Sequence, residues 1–118
     1  MYDKELLKGT LRTIIMKLLS ENGKMYGYEI TQKVKEMSDG KILLKEGSLY
    51  PALHKLEAEG ILEVEEVHIG KRVRRYYKLT PKGSEQTALQ LNELVSFLET
   101  IHQLIVPQPQ DTLNHGIA

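Results

Sequence analysis

The chain has 118 residues, of which 41% are hydrophobic and 27% charged, and its 16 basic residues balance 16 acidic ones. This composition is typical of one ordinary globular domain and excludes a fibrous repeat or a chain that is disordered throughout. The absence of cysteine excludes disulfides and thiol nucleophiles, and the four scattered histidines make neither a metal site nor a cofactor expected. The chain start lacks the order of a signal peptide, and no apolar run approaches the ~20 residues that span a bilayer, so the expected location is the cytoplasm.

The first half of the chain predicts two helices and a small strand. Apolar residues at spacings of three and four predict a helix over residues 6–19, and Gly23 ends it. A shorter pattern over residues 30–37 predicts a second helix that ends before Gly40. The apolar run at residues 42–44 is too short for a helix and predicts a small edge strand.

A third helix begins near Gly47-Ser48 and ends at Gly60. Ser48 is its predicted cap, and Pro51 is tolerated because the amides of a first turn have no intrahelical partner. The predicted core side consists of Leu49, Ala52, Leu53 and Leu56. The predicted outward side consists of Gly47, Tyr50, Pro51, His54, Lys55 and Ala58.

A β-hairpin is predicted next, with strands over residues 61–67 and 72–79. Six positive charges lie in this region, with no acidic residue between Glu66 and Glu85; they are Lys71, Arg72, Arg74, Arg75, Lys78 and Lys82. A charged edge that resists aggregation is the alternative, but six uninterrupted cations exceed what edge protection needs and favour nucleic-acid contact. Arg75 breaks the strand alternation, which leaves either a bulge or a place at the flexible end of the hairpin.

Thr80-Pro81 is a strong helix start, and the last predicted helix covers residues 81–106. Its apolar residues follow the 3-4-3-4 spacing of a coiled-coil seam; the seam consists of Leu91, Leu94, Val95, Leu98, Ile101 and Ile105. This helix is about 39 Å long, and the rest of one chain is too small to cover its apolar seam. The seam is therefore expected to pack against a second copy of the chain. Residues 107–118 are expected to be disordered.

This order of elements is typical of a winged helix-turn-helix, a mainly α fold with a small β-hairpin wing, here followed by one long C-terminal dimerisation helix. Residues 1–80 then form a domain that binds double-stranded DNA, with the third helix in the major groove and the hairpin along the backbone. The candidate contacts are Tyr26, Tyr28, Tyr50, His54, Lys55, Lys71, Arg72, Arg74 and Arg75. For Tyr26 and Tyr28, packing of the ring and contact with a phosphate are equally good interpretations. The third helix presents no outward Arg or Asn, so we expect modest direct base readout.

Four segments resemble the phenolic-acid-decarboxylase regulator (PadR) family of bacterial winged-helix transcriptional regulators over about residues 5–106. They are Leu6-Leu7-Lys8-Gly9-Thr10-Leu11; Tyr26-Gly27-Tyr28-Glu29-Ile30; residues 47–57 with Gly60; and residues 70–80 with Gly83. The resemblance implies a homodimer that represses transcription by binding an operator. It places Ser48, Tyr50 and Pro51 at the recognition helix, Tyr28 near the DNA backbone and residues 71–75 in the wing. Val73 stands where the family often has proline, which predicts a less rigid wing tip.

The resemblance also implies that a small aromatic or drug-like effector releases some members from DNA. Members that bind flat aromatic drugs use a tryptophan of the last helix, whereas this chain has no Trp and one Phe. Because a chain of this length has no separate ligand domain, the expected effector site lies between the subunits, near Phe97 and the last helix. The histidines and Ser48 show no catalytic arrangement, so an enzyme is not expected. The alternative to a DNA-binding regulator is a winged-helix module that docks an acidic protein partner through its basic hairpin.

Overall fold

The computed structural model describes residues 2–107 and 109, which form five helices and one three-stranded antiparallel sheet. In chain order the elements are α1 (Lys4–Lys8), α2 (Leu11–Asn22), β1 (Lys24–Tyr26), α3 (Gly27–Met37), α4 (Glu46–Ala58), β2 (Leu62–Ile69), β3 (Arg72–Leu79) and α5 (Pro81–Ile105). The strand order is β1-β3-β2. The predicted fold class is confirmed: a winged helix-turn-helix with a small sheet is followed by one long helix.

The core lies where α2, α3 and α4 cover one face of the sheet. Its buried apolar side chains are Leu11, Ile15, Met16, Leu18, Leu19, Met25, Ile30, Val34, Leu49, Leu53, Leu56, Ile61, Leu62 and Tyr77. The sheet contributes Tyr77 of β3, which pairs with Met25 of β1 and Val64 of β2. Because side chains alternate along a strand, Tyr26, Arg74 and Tyr76 lie on the opposite, outer face of the sheet.

The helix predicted over residues 6–19 is two helices. α1 ends at Lys8, and the backbone turns at Gly9 before α2 begins at Leu11. The amide and the hydroxyl of Thr10 both donate to the carbonyl oxygen of Leu7, each at 2.9 Å. These bonds close a turn and replace the hydrogen bonds of a continuous helix. The apolar spacing does not reveal this break, because the same spacing continues through both helices.

The strand predicted at residues 42–44 is wrong. These residues form no strand; Ile42 and Leu44 pack against the core, and Leu43 is exposed. The edge of the sheet is instead completed by β1, whose residues Lys24–Tyr26 pair antiparallel with β3. Residues 24–26 form the strand because their register with β3 places Met25 beside Tyr77, where both side chains are buried.

The start of the third predicted helix also differs. α4 begins at Glu46 with Lys45 as the N-cap residue, so Ser48 lies inside the first turn and does not cap it. Glu46 suits this start because a carboxylate is favourable near the positive end of the helix dipole. Pro51 is then the sixth helical residue, beyond the first turn, and removes the helical hydrogen bond to the carbonyl of Gly47.

The hairpin has the predicted second strand, while β2 extends to Ile69 and leaves a turn at Gly70-Lys71. Gly70 has φ +62°, which glycine adopts at no steric cost. The β2–β3 register is continuous and Arg75 pairs with Glu66, so there is no bulge at Arg75 in this hairpin. Arg75 is an exposed residue on the same strand face as Tyr77.

The start of α5 is as predicted: the Thr80 hydroxyl accepts a hydrogen bond from the Gly83 amide at 3.1 Å, and Pro81 is the first helical residue. The same hydroxyl donates to the carbonyl oxygen of Gly60 at 2.6 Å, which ties the helix start to the end of α4. α5 packs against α2. The molecule measures 71 × 30 × 21 Å. The disorder expected for residues 107–118 concerns mainly residues 108 and 110–118, which lie outside the described residues.

Candidate nucleic-acid interface

The positive charge of the hairpin is divided between its base and its tip. At the base, Lys78 forms an ion pair with Glu63 at 3.6 Å, and Lys82 donates to the backbone carbonyl of Glu59 at 2.9 Å. Towards the tip, Lys71, Arg72, Arg74 and Arg75 form no ion pair with an acidic residue of the described chain. These four residues are called the tip cations below.

The acidic residues of β2 account for most of this division; Arg75 is the exception, since it lies opposite Glu66 but forms no ion pair with it. Register places Glu63 opposite Lys78, Glu65 opposite Tyr76 and Glu66 opposite Arg75. From Val67 onward β2 carries no carboxylate, so Arg72 and Arg74 pair with apolar residues. The basic run is uninterrupted in the sequence, but strand pairing places the acidic residues of β2 beside its base. The unpaired positive charge is therefore concentrated at the tip of the hairpin, which we call the tip-weighted charge.

Tyr50 on α4 is held against the start of α3. A Cβ atom built at Gly27 would lie 2.5 Å from the Tyr50 hydroxyl oxygen, so the missing side chain of Gly27 makes room for that hydroxyl. Tyr50 is accordingly half-buried and not fully outward as predicted, and its ring lies 6.3 Å from that of exposed His54. Gly27 thereby positions a candidate recognition residue, a role that the sequence pattern did not indicate.

The other candidate residues of α4 lie on a different flank. Ser48, Pro51 and Lys55 line a cavity of about 700 Å³, together with residues of α1, the start of α2 and the loop before α4. Pro51 and Lys55 are exposed, whereas Ser48 is half-buried. The helix therefore presents its candidate contacts on two flanks, with Tyr50 and His54 on the α3 side.

Tyr26 and Tyr28 take different environments at the start of α3. Tyr26 is half-buried and Tyr28 is 63% exposed, which leaves the Tyr28 hydroxyl accessible to a phosphate. The two rings stack with centroids 6.5 Å apart. Tyr26 also packs edge-on against Tyr76 at 5.5 Å and lies under the Arg74 guanidinium at 4.1 Å. The packing interpretation therefore suits Tyr26, and the contact interpretation suits Tyr28.

Two residues near this cluster, Glu65 and Tyr77, have pKa values shifted by their surroundings. A hydrogen bond and charge attraction from Lys24 lower the pKa of the Glu65 carboxyl below its ordinary value, at a separation of 2.9 Å. Lys24 also lies 5.1 Å from the Tyr76 ring centroid. Burial raises the pKa of the Tyr77 hydroxyl. On the outer face, Lys24 and Arg74 thus lie against the rings of Tyr76 and Tyr26, whereas Tyr77 lies on the buried face.

The seam of α5 is largely uncovered. Leu91, Leu94 and Ile101 are half-buried, whereas Val95, Leu98 and Ile105 are at least half exposed. Phe97 is 57% exposed and lines a second cavity of about 590 Å³ between the start of α2 and α5. Within the described part of the chain, no group of His, Cys, Asp and Glu side chains is arranged to hold a metal ion.

Comparison with known proteins assigns this fold to a family. The model of the transcriptional regulator PadR-like family matches residues 15–89, more than half of the chain. The chain belongs to the PadR-like family. The family resemblance predicted from the four sequence segments is thereby confirmed, and this PadR-like protein is a transcriptional regulator, not an enzyme.

Individual relatives agree with the assignment. A transcriptional regulator of Mycobacterium tuberculosis is 35% identical over 80 residues, covering 68% of this chain and 71% of the relative. A transcriptional regulator from Clostridium thermocellum has a TM-score of 0.78 at 28% identity and covers 89% of this chain and 99% of its own. Bacillus subtilis PadR in complex with operator DNA has a TM-score of 0.60 at 28% identity; it matches 85% of this chain, which spans 49% of that protein. Among the described residues of this PadR-like chain, no helix has the length and hydrophobicity that crossing a bilayer requires.

Proposed function

We propose that this PadR-like regulator is a homodimeric repressor that binds an inverted-repeat operator. The observation that carries the proposal is the tip-weighted charge of the wing on a winged helix-turn-helix. Cations without acidic partners are free to displace the counterions of a DNA backbone, which supplies most sequence-independent affinity. The solved complex of Bacillus subtilis PadR with operator DNA supports the ligand class. Because that ligand is DNA, the proposed location is the cytoplasm of a bacterial cell.

Different elements supply affinity and specificity in this proposal. Lys71, Arg72 and Arg75 contact phosphates, and so does the exposed hydroxyl of Tyr28. Along α4, the proposed groove contacts are Ser48, Tyr50, Pro51 and His54, and Lys55 reaches a phosphate. None of these α4 side chains makes the bidentate base contact of Arg or Asn, so DNA shape carries much of the specificity.

The proposed dimer is formed by the long helix, residues 81–106, attached to a DNA-binding domain of residues 1–80. Its contacts are Leu91, Leu94, Val95, Leu98, Ile101 and Ile105. Exposed apolar side chains along one helix are costly in water, and a second copy with two-fold symmetry removes them from it. Two recognition helices related by this symmetry reach half-sites about one helical turn, or a multiple, apart.

A small aromatic effector is the regulatory part of the proposal. The cavity beside Phe97 supports it, because it lies between the start of α2 and the proposed dimerisation helix. A ligand seated there would contact both elements, and its binding would change how the two domains of the dimer are spaced. A set of aromatic acids and planar cations tested for release of bound DNA examines this part separately.

DNA titration at several salt concentrations tests the proposed function. A labelled duplex of random sequence should bind at micromolar protein, and the logarithm of the affinity should fall linearly with the logarithm of salt concentration. A duplex selected by the protein from a random pool should bind about 10³-fold tighter or more and contain an inverted repeat. No binding of either duplex at low salt would refute the proposal and favour the module that docks an acidic protein.

A further inference from the structure

Arg74 differs from the other tip cations in that its guanidinium lies over an aromatic ring. Its guanidinium carbon lies 4.1 Å from the centroid of the Tyr26 ring, well within the range of a cation–π interaction. Arg74 is half-buried, whereas Arg72 and Arg75 are exposed. A hydrogen bond with the Tyr76 side chain raises the pKa of Arg74 above its ordinary value. The guanidinium of Arg74 is therefore engaged by tyrosine side chains on the outer face of the sheet.

The ring beneath Arg74 belongs to the residue that begins α3. Tyr26 is the N-cap residue of this helix, and its backbone amide donates to Glu29 Oε1 at 3.1 Å. The Tyr26 ring also packs edge-on against Tyr76 and stacks with Tyr28. The contact between Arg74 and Tyr26 consequently reinforces, through side chains, the β1–β3 backbone pairing at the residue that precedes the first helix of the helix-turn-helix.

The neighbouring cation on this face has a different partner. Lys24 lies over the Tyr76 ring, but its ammonium group is 2.9 Å from Glu65, so a carboxylate already neutralises it. Arg74 has Val67 as its cross-strand partner. Its close side-chain partners are the tyrosine rings. Among the described residues Arg74 forms no ion pair, although the charge of the Glu29 carboxylate makes a minor contribution to raising its pKa.

We propose that Arg74 is a positioning residue that acts through Tyr26, and that it is not one of the phosphate contacts of the wing. By packing on Tyr26, which ends β1 and caps α3, it adds a side-chain contact to the β1–β3 pairing and so steadies the distance between the wing tip and Tyr28. This proposal rests on the proposed DNA binding, because both groups must then reach one duplex at a set spacing. It assigns Arg74 a different role from Arg72, although the two arginines share a strand and a face.

The first experiment needs no DNA. Arg74→Met keeps an unbranched side chain over Tyr26 but removes the guanidinium, and Arg72→Met is the matched control because it changes the net charge equally. Backbone amide NMR spectra of the full chain should show shifted signals for residues 26–29 in Arg74→Met. The same signals should be unchanged in Arg72→Met. Unchanged signals in both variants would overturn the proposal.

The second experiment separates positioning from phosphate contact. Arg72→Met should reduce the salt slope of binding to a random duplex by about 0.9 per subunit, as expected for one lost phosphate contact. Arg74→Met should change that slope by less than half as much. It should still weaken binding of a duplex selected by the wild-type protein about two- to fivefold, the effect expected of one exposed cation–π contact.

A double-mutant cycle tests whether Arg74 acts through Tyr26. In a Tyr26→Leu background, Arg74→Met should have almost no further effect on the selected duplex, since residues that act through one contact are not additive. Tyr26→Phe keeps the ring and should bind like the wild type, which guards against a Tyr26→Leu variant that folds poorly. Additive effects would overturn the role of Tyr26.

Different results would refute the positioning role of Arg74 and the proposed DNA binding. A salt slope reduced equally by Arg72→Met and Arg74→Met would make Arg74 a phosphate contact and overturn the positioning role, while the proposed DNA binding would stand. If the wild-type chain bound no duplex, the proposed function would fail instead. The amide signals of residues 26–29 would then still decide whether Arg74 holds the start of α3.

Discussion

Replacing Gly27 with alanine should displace Tyr50 and weaken DNA binding more than it changes stability. The new Cβ would lie 2.5 Å from the Tyr50 hydroxyl oxygen, where ordinary contact begins at 3.4 Å, so the hydroxyl must move by about 0.9 Å. The far end of a tyrosine can move at modest cost, and alanine gains up to ~1 kcal/mol over glycine in a helix, so the two effects on stability largely cancel. The free energy of unfolding should change by about 1 kcal/mol or less.

The effect on DNA binding should be larger, because Tyr50 belongs to the proposed recognition helix. A contact displaced by this much loses most of a hydrogen bond, worth ~0.5–1.5 kcal/mol, so affinity for the selected duplex should fall about two- to twelvefold per half-site. Urea unfolding at fixed protein concentration measures stability, and fluorescence anisotropy measures binding. Gly9→Ala is the control, since nothing lies within 4 Å of a Cβ at Gly9.

Removing the displaced atom should remove the effect. In Tyr50→Phe the hydroxyl is gone and the nearest atom to the new Cβ is Cζ at 3.0 Å, a tight contact that a small shift relieves. Adding Gly27→Ala to Tyr50→Phe should therefore change DNA affinity little. The reasoning is refuted if Gly27→Ala binds the selected duplex like the wild type, or if it weakens binding as much in the Tyr50→Phe background as in the native chain.

The wing, the seam and the cap of the last helix each give a further prediction. Lys71→Ala should lower the salt slope of random-duplex binding by about 0.9 per subunit, whereas Lys78→Ala removes an ion-paired lysine and should leave the slope unchanged. If both variants lowered the slope equally, the concentration of unpaired charge at the hairpin tip would be refuted. Leu98→Glu should raise the dimer dissociation constant at least about tenfold by placing charges in the seam, measured by sedimentation, while the same change at exposed Leu89, off the seam, should not. Thr80→Ala should cost about 1 kcal/mol in urea unfolding and Thr80→Ser much less, because serine keeps the capping oxygen; equal losses would mean that the methyl group, not the cap, matters.

Local patterns in the sequence predicted the elements whose structure is decided locally. The cap at Thr80-Pro81 formed as predicted because its hydrogen bond spans three residues. The second strand of the hairpin matched over residues 72–79, since alternation with one buried face is visible along a single strand. The family resemblance rested on four segments of the same local kind, and the family model confirmed it.

Errors arose where pairing with a distant strand decides the outcome, and where a local helix start or turn leaves no mark in the apolar spacing. The segment at residues 42–44 and β1 are both short and apolar in part, and only pairing with β3 makes β1 the strand. The cap assigned to Ser48 failed because α4 begins at Glu46, two residues earlier than its composition suggested. A turn at Gly9 likewise divides the first helix without altering its apolar spacing.

Composition and periodicity were enough to establish a small winged helix-turn-helix with a long apolar helix, because burial of one face imposes a repeat that the sequence must carry. Charge partners impose no such repeat. Which cations stay unpaired depends on the β2–β3 register, which sets Glu63 against Lys78 and leaves Arg74 opposite Val67. The contact of Arg74 with Tyr26 joins residues 48 positions apart, so tertiary packing alone placed a wing cation on the first turn of α3.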